Sequence, residues 1–246
     1  GYAIIFSEST EGMNSMKIMS FNTQHCLSFM EKKIDFQLMA DAINQIQPDI
    51  VGLNEMRDFG PDGEYDAQTA ILSELTGLRH HYFAQAISIN GNPYGNGLLS
   101  KLPLISTETI PIPDPNPQTG SAYYESRSLL KARLEGGITV LVTHFGLNED
   151  EQKNAVDCIL AHMEPKKCIL MGDFNITPEA EVLNPIRACM NDAADAFLKP
   201  LLSFPSDYPD RKIDYIFVTP DVELLSADIP GVIASDHRPH IATLKL

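Results

Sequence analysis

The sequence predicts an α+β fold in which two mixed sheets pack together and helices cover their outer faces. Segments with the composition of strands outnumber helical segments, and most links between strands have the length of hairpin turns. Neither an internal repeat nor a linker divides the chain. A simple βαβ repeat would alternate strands with helices, so this pattern favours two packed sheets.

The first part of the chain is predicted to contain two helices. Asp35 can cap a helix that runs to about Gln47, with apolar residues at helical spacing. A second helix over residues 66–76 is stopped by Gly77, with Ala70, Ile71 and Leu75 facing inward. Strands are predicted over residues 17–22, 49–53, 81–85, 96–100, 104–112, 127–134 and 138–142.

Two more helices and the closing strands are predicted in the second part. Asn148 can cap a helix to about His162, and Pro178 lies near the first turn of a helix that reaches about Cys189. Strands are predicted over residues 168–171, 213–218, 222–227 and 241–246. With 246 residues, 43% of them hydrophobic, residues 16–246 are predicted to form a single domain, and residues 1–15 an extension or cloning remnant.

Six short polar motifs occur along the chain, and five of them follow residues typical of strands. The last of these five follows Val232–Ile233. Strand ends that converge on one edge of a sheet are where α/β proteins place their chemistry. The set suits a hard divalent cation on oxygen ligands beside a polarised phosphate. Its members are Asn22, Glu55, His144, Asp173, Asn175, Asp214, Asp236 and His237.

Two of these residues suit a magnesium site. Mg²⁺ keeps several waters and takes one or two protein carboxylates, and Glu55 at the end of a buried strand fits that role. Asn22 is neutral and can accept the cation or one of its waters. Each residue alone also has an ordinary explanation, Glu55 as a solvated side chain and Asn22 as a turn residue.

The segment Gly172–Asp173–Phe174–Asn175 is more specific. Glycine lets the chain turn tightly, and Asp173 and Asn175, two residues apart on an extended segment, point the same way. Asp173 can orient a water, and Asn175 offers an amide donor to a phosphoryl oxygen. The alternative is an Asx-turn that only begins a loop.

The histidines supply groups that titrate near neutral pH. His237 can act as a general base or as a donor to phosphate, and it works best when a carboxylate fixes its tautomer, a role that Asp214 can fill. His144 follows an apolar run and can donate to the same phosphate. Any one of them can instead be an ordinary core or surface residue, but all six motifs in order make that explanation weaker.

Taken in order, these motifs resemble the endonuclease/exonuclease/phosphatase superfamily, which has the deoxyribonuclease I-like fold. The resemblance runs from about Lys17 to Leu246, and its most specific parts are 171–175, 213–215 and 235–239. It implies a four-layer α/β/β/α sandwich with two mixed, mainly antiparallel sheets. It also implies phosphoester hydrolysis that depends on Mg²⁺, or alternatively Mn²⁺.

The resemblance further implies roles for individual residues. Asn22 and Glu55 bind the metal with Asp236 nearby, Asp173 orients or deprotonates the attacking water, and Asn175 contacts the phosphate. His144 and His237 flank the phosphate, and Asp214 pairs with His237. It leaves open which group is the general base. Glu125 and Arg127 occupy a looser motif that faces substrate in similar proteins, while Asn54 replaces the glutamine often found before the metal-binding glutamate.

The charge of the chain bears on the substrate. Eighteen Lys and Arg residues against 33 Asp and Glu give a net charge of −15, which argues against tight nonspecific binding of nucleic acid. The leading hypothesis is therefore a phosphodiesterase or phosphatase acting on a small or headgroup phosphoester. A DNA or RNA nuclease and a catalytically inactive binding module remain the alternatives.

A proline-rich segment and the cysteines complete the sequence-based predictions. Residues 111–120 form either a spacer or a substrate-facing loop that carries Tyr123 and Tyr124. The four cysteines form no CxxC pair, which indicates free thiols in a reducing compartment. No apolar stretch approaches about 18 residues and no signal peptide is recognised, so a cytoplasmic location without a transmembrane segment is predicted.

Overall fold

The computed structural model describes residues 15–61, 63–196 and 201–246, and in these ranges twelve strands form two six-stranded sheets. The first six strands are β1 Ser15–Asn22, β2 Ile50–Arg57, β3 His80–Ile89, β4 Asn92–Ser100, β5 Leu104–Pro111 and β6 Ser128–Leu134. The others are β7 Ile138–His144, β8 Cys168–Asp173, β9 Asn191–Asp192, β10 Asp214–Val218, β11 Glu223–Asp228 and β12 His240–Lys245. The helices are α1 Phe36–Ile46, α2 Gln68–Thr76, α3 Glu149–His162 and α4 Asn184–Arg187.

Each sheet contains one parallel pair of strands near its centre. The order β11-β12-β1-β2-β4-β3 has β1 and β2 parallel, and the order β5-β6-β7-β8-β10-β9 has β7 and β8 parallel. The remaining neighbours are antiparallel, and the crossovers carry α1 and α3. A parallel pair needs such a crossover, and it brings the carboxyl ends of both strands to one edge.

Alternating side chains build the four layers. Ile50 and Met171 lie in the core between the sheets, whereas their neighbours Val51 and Leu170 point to the helices. The outer cores are completed by Ile43 of α1 and other helical residues. Because a strand alternates its side chains between two faces, sheets that are apolar on both faces become the two inner layers. The predicted four-layer α/β/β/α sandwich is confirmed.

The predicted caps of two helices are found where the sequence places them. Asp35 accepts a hydrogen bond from the Leu38 backbone N–H at 2.9 Å, and Gln47 ends α1 in the left-handed conformation at φ 54°. At α3, the side chain of Glu151 accepts from the Asn148 backbone N–H at 3.1 Å. These contacts satisfy backbone groups that the helix ends would otherwise leave without partners.

Some predicted elements differ from the structure. The inward face of α2 consists of Gln68, Thr69, Leu72 and Ser73 rather than Ala70, Ile71 and Leu75. The polar side chain of Gln68 faces inward because it accepts the Arg57 backbone N–H on β2. Pro178 precedes the last helical segment, and α4 begins only at Asn184. Val232–Ile233 belongs to a loop, so the last polar motif follows a loop and not a strand.

Two boundaries also change. Strand β2 continues to Arg57, so Glu55 lies inside a strand that was predicted to end at Leu53. The predicted extension over residues 1–15 lies outside the described residues except for Ser15, which belongs to β1. Among the described residues, no helix combines the length and the apolar composition needed to cross a membrane.

Replacing Gly172 by alanine should destabilise the protein, because its φ is +149° and a Cβ would lie 1.8 Å from the Thr143 carbonyl oxygen on β7. We expect a loss of about 2–3 kcal/mol, the range for overpacking, measured by urea or thermal unfolding. Gly137→Ala is the matched control, because that glycine has φ +75° with nothing within 4 Å of its Cβ position. Equal losses in both variants would contradict the clash as the cause.

Candidate active site

The polar motifs meet where the two parallel pairs end. Asn22 and Asn54 are register partners where the pairing of β1 with β2 ends, and His144 and Asp173 are partners at the ends of β7 and β8. Asp214 begins β10 directly opposite Asp173. The two sheets face each other, so the four strand ends form one polar cluster at a single edge of the sandwich.

Two residues of this cluster have a left-handed backbone. Glu55 has φ +62° and Asn175 has φ +53°. The β2–β4 ladder is irregular between Leu53 and Met56, and this bulge turns Glu55 out of the regular alternation. Asparagine tolerates the left-handed region, whereas glutamate is rarely found there. Backbone strain of this kind collects at functional sites.

Asn22 joins two carboxylates. Its Nδ2 donates to Glu55 Oε1 and to Asp173 Oδ2, both at 3.0 Å, while its Oδ1 accepts the Gln24 backbone N–H at 3.0 Å. The amide nitrogen therefore faces the carboxylates, and the predicted contact of Asn22 with a metal would need the amide to rotate. Burial raises the pKa of Glu55, against the hydrogen bond from Asn22.

Asn54 connects the two sheets behind the site. Its Oδ1 accepts the Asp173 backbone N–H at 2.9 Å, and its Nδ2 donates to the Thr143 carbonyl and to Asn96 Oδ1, each at 2.8 Å. All of these groups are buried. From the sequence, Asn54 was only a departure from the usual glutamine, and its part in joining the sheets was missed.

Asp173 is the centre of the cluster. Its Oδ1 accepts the Asn175 backbone N–H at 2.8 Å, and its Oδ2 lies 3.5 Å from His144 Nε2 and 3.6 Å from His237 Nε2. Burial raises the pKa of Asp173, and the charge of His237 opposes that rise. The predicted pairing of Asp173 with Asn175 in one turn is present, together with the Asx-turn that was its alternative.

His237 and Asp214 form a buried charged pair in the site. Nδ1 of His237 lies 2.8 Å from Asp214 Oδ2, and the ring packs against Phe204 at 4.8 Å between centroids. Burial alone would lower the pKa of His237, but the charges of Asp214 and Asp173 outweigh it and raise the pKa to about 10. His237 is therefore an imidazolium at neutral pH, with Nε2–H facing Asp173.

His144, in contrast to His237, is a neutral imidazole. Burial, followed by the charges of Arg127 and His237, holds the pKa of His144 well below its usual value. Its Nδ1 lies 3.2 Å from Arg127 Nη1, which can only donate, so Nδ1 is the acceptor and the neutral ring carries its proton on Nε2. Nε2–H can point to Asp173 Oδ2 at 3.5 Å, whereas Asn175 Nδ2, 3.1 Å from Nε2, donates to the Phe145 carbonyl at 3.0 Å.

The looser motif divides into two parts. Arg127 and Glu125 form a salt bridge beside His144 and so belong to the cluster. Tyr124 does not, because its hydroxyl donates to Asp150 at 2.8 Å and accepts the Gly120 backbone N–H at 2.6 Å. Two residues that sequence reasoning missed lie here instead. One is Tyr94, which is 7% exposed and whose hydroxyl interacts with Glu55 and Arg127.

His25 is the second missed residue. It lies between Arg57 and Asp236, since burial and Arg57 lower the pKa of His25 while Asp236 raises it. It has φ 48° within the left-handed run Gln24–Cys26, which follows Asn22 directly. Three consecutive left-handed residues without glycine leave no signal in the sequence. For Tyr94, the neighbouring Gly95–Asn96 in a buried strand would have been the available signal.

The donor set fits a divalent cation. Ligand atoms of Glu55, His144 and Asp173 all lie within 4.8 Å of one another, as do those of Asp173, Asp214 and His237. Asp236 is not part of either group in the described residues, but its charge raises the pKa of Glu55, so it lies nearby. Two carboxylates that share one amide donor carry more negative charge than the protein compensates, which is what a cation site requires.

The comparisons with known proteins agree with this geometry. A family model described as "Endonuclease/Exonuclease/phosphatase family" matches residues 19–237, so the chain belongs to that family. Members of the family are in general hydrolases of phosphoesters and typically depend on a divalent metal. A search of curated proteins found no match.

Solved structures show the same fold. An endonuclease/exonuclease/phosphatase from Beutenbergia cavernae is 24% identical with a TM-score of 0.78, over 94% of this chain and 72% of that one. A mannosyl-6-phosphatase from Bacteroides thetaiotaomicron is 14% identical with a TM-score of 0.74, over 94% and 100%. The human Nocturnin catalytic domain with bound sulfate is 20% identical with a TM-score of 0.69, over 94% of each chain.

Asp214→Asn should lower the pKa of His237, because the amide removes the negative charge that holds the proton on the ring. A histidine with a folded pKa above its unfolded value stabilises the protein fully below about pH 6.5, and this stabilisation is lost as the pH rises through about 10. The variant should therefore lose more stability at pH 6 than at pH 10. The measurements are an NMR titration of His237 and melting temperatures at both pH values.

Asp207→Asn is the control for this prediction, because Asp207 is exposed and its side chain accepts only from the backbone N–H of the next residue. It should leave the His237 titration unchanged. An unchanged titration in Asp214→Asn would mean that the carboxylate only supports β10.

Proposed function

We propose that this protein is a divalent-cation-dependent phosphoester hydrolase, a phosphodiesterase or phosphatase that acts on a small or headgroup phosphoester. The observation that carries the proposal is the pair of carboxylates, half-buried Glu55 and buried Asp173, that share the Asn22 amide beside one charged and one neutral histidine. Such a set combines a cation site, a group that accepts a proton and donors for a phosphate.

Glu55, with Asp236 beside it, would hold the cation, either Mg²⁺ or Mn²⁺. When bound, the cation would neutralise the phosphate charge and stabilise the leaving oxygen. Asn22 supports the site by fixing the Glu55 carboxylate through its amide. Ligation by the Asn22 oxygen, as predicted from the sequence, stays a proposal that requires the rotated amide.

Asp173 is the better candidate for the general base. Its carboxylate is held by Asn22 and by the Asn175 backbone N–H, so its geometry is fixed before a substrate arrives. His237 is less suited, because its Nδ1 is committed to Asp214 and its ring already carries a second proton at neutral pH. Asp173 would accept the proton of the attacking water.

The other side chains offer donors to the phosphoryl oxygens. His237 presents Nε2–H, and Asn175 presents Nδ2, at the same end of the cluster. His144 and Arg127 stand behind them, with Glu125 holding the guanidinium. Preorganised donors of this kind stabilise charge that develops in a transition state, without reorganisation when the reaction occurs.

The substrate assignment rests on charge. The net charge of −15 opposes a polyanion, while a single phosphate can be held by the cation and the donors above. Tyr124 is committed to Asp150, so the proposal does not use it to bind substrate. The nuclease alternative requires a local basic groove. The inactive binding module requires the loss of a catalytic group, and the proximity of Glu55, His144, Asp173, Asp214 and His237 argues against it.

Two further assignments belong with this proposal. The four cysteines are free thiols, three of them buried, which supports a reducing and hence cytoplasmic location. We also keep residues 16–246 as a single domain, because the core between the sheets draws on β1 as well as on β12.

Removing the metal should abolish turnover, and Glu55→Gln should lower kcat by about 10²-fold or more while the protein stays folded. The carboxylate forms no salt bridge among the described residues and burial disfavours its charge, so the amide should not lower the melting temperature in EDTA. Turnover of a chromogenic phosphodiester and monoester, with Mg²⁺, Mn²⁺ or EDTA, tests this. Mg²⁺ should raise the melting temperature of the wild type but not of the variant.

Glu135→Gln is the matched control, because Glu135 is exposed in the turn after β6 and should behave like the wild type. Full activity of the wild type in EDTA would remove the metal-dependent mechanism.

Duplex DNA should be a poor substrate compared with a small phosphodiester, and low salt should not improve its cleavage. Duplex DNA carries one charge per about 1.7 Å, and proteins bind it through Lys and Arg. Here acidic residues outnumber them 33 to 18, and lower salt lengthens the range of the repulsion. The measurement is kcat/KM for plasmid DNA and for a chromogenic diester at about 20 and 200 mM salt. Efficient cleavage of DNA that improves at low salt would favour the nuclease.

A further inference from the structure

The guanidinium of Arg57 lies between two tyrosine rings without an acceptor. Its central carbon is 4.7 Å from the Tyr65 ring centroid and 4.6 Å from that of Tyr94. Nε and Nη1 are buried and have no hydrogen-bond partner among the described residues. Buried donors are costly when they lack acceptors, and most natural proteins provide one.

The surrounding contacts hold this group firmly. Arg57 and Tyr94 are direct partners in the β2–β4 ladder, so their side chains share a face. Gln68 accepts the Arg57 backbone N–H and donates to the His25 carbonyl, each at 2.9 Å. The His25 ring in turn meets Tyr65 edge-on at 6.4 Å between centroids. The arginine is therefore positioned by four neighbours, none of which accepts a hydrogen bond from Nε or Nη1 of its guanidinium.

This arrangement adjoins the proposed reaction centre. Arg57 follows Glu55 by two residues on the same strand, and the hydroxyl of Tyr94 interacts with Glu55 and Arg127. No acidic residue among the described ones forms a salt bridge with Arg57, although the chain has 33 acids. A purely structural arginine at such a position would be expected to pair with one of them.

We propose that Arg57, Tyr65 and Tyr94 form an anion clamp, which binds a second anionic group of the substrate beside the phosphate that is hydrolysed. This inference rests on the proposed function and narrows its substrate class to phosphoesters with an additional carboxylate or phosphate. The two rings lie 4.7 and 4.6 Å from the guanidinium carbon, and the donors without partners are left for an in-plane acceptor. A carboxylate or phosphate matches these donors with two parallel hydrogen bonds.

The clamp also agrees with the charge of the site. A cation held by Glu55 and Asp236 would neutralise the acids nearest to Arg57, so the guanidinium would remain available to an incoming anion. Tyr65 and Arg57 are both only partly buried, so solvent reaches this group of side chains. One additional anion satisfies the clamp, whereas a long polyanion still meets the negative field of the whole chain.

The test compares phenyl phosphate with its 3-carboxy and 4-carboxy derivatives, which differ only in the second anionic group. The wild type should prefer a carboxylated ester by about tenfold or more in kcat/KM, the range of a hydrogen bond to a charged group. Arg57→Met should reduce this preference to near one. Arg57→Lys, which keeps the charge but loses the planar fork, should retain part of it.

Arg133→Met is the matched control, because Arg133 is exposed on β6, and it should keep the wild-type preference. Tyr65→Leu removes one ring at a partly exposed position and should also lower the preference, which keeps the test open if Arg57→Met fails to fold. Equal losses on all three esters in both variants, or a wild type without preference, would overturn the clamp.

Calorimetric binding of the same three compounds separates this inference from the proposed function. A wild type that hydrolyses neither these esters nor the chromogenic phosphodiester, but binds a carboxylated ester more tightly through Arg57, would contradict the hydrolase and support the clamp. A wild type that hydrolyses all three equally would support the hydrolase and contradict the clamp. Binding that is equal for all three compounds and unchanged in Arg57→Met would also contradict it.

Discussion

The hydrogen bonds of one buried amide, Asn54, hold the two halves of the site in register. Asn54 lies in β2 of the first sheet, yet its side chain binds the backbone of Thr143 and Asp173 in the second sheet. Apolar packing between sheets fixes their separation but is not directional, whereas these bonds fix the offset of one sheet along the other. The distance from Glu55 to Asp173, on which any shared cation depends, therefore follows from a side chain that contacts no substrate in the proposed mechanism.

A second constraint is the amount of charge that the fold buries at one edge. Glu55, Asp173, Asp214 and His237 lie together where water is largely excluded, and the described residues offer too few opposite charges to balance them. The histidines divide in consequence, since His237 gains a proton between two carboxylates and His144 loses one beside Arg127. One fold thus sets two identical side chains to different charge states, one positive and one neutral. Three apolar cores, which the site does not interrupt, offset the free-energy cost of burying these charges.

The left-handed residues around the site extend this pattern to the backbone. Glu55 leaves the regular ladder through a bulge, and the run Gln24–Cys26 turns the chain back beside Asn22. Such conformations persist only where the surrounding structure determines them. Here the determinants are Gln68, which binds the backbone of both Arg57 and His25, and the hydrogen bond from Gln24 to Asn22. The same contacts place Arg57 and His25 beside the carboxylates.

The sequence alone determined the layers and the central motifs of this protein. Alternating apolar residues, the caps Asp35 and Asn148, and polar residues after buried strands are local signals, and they led to the four-layer sandwich and to the cluster around Asp173. The face of α2 and the start of α4 were wrong, because tertiary contacts overrode weak local patterns. Only the tertiary structure decided that Asn54 joins the sheets, that Tyr94 and His25 enter the site and that Tyr124 leaves it. Those outcomes depend on distances between residues far apart in the chain, such as Asn22 and Asp173 at 3.0 Å, which no local spacing encodes.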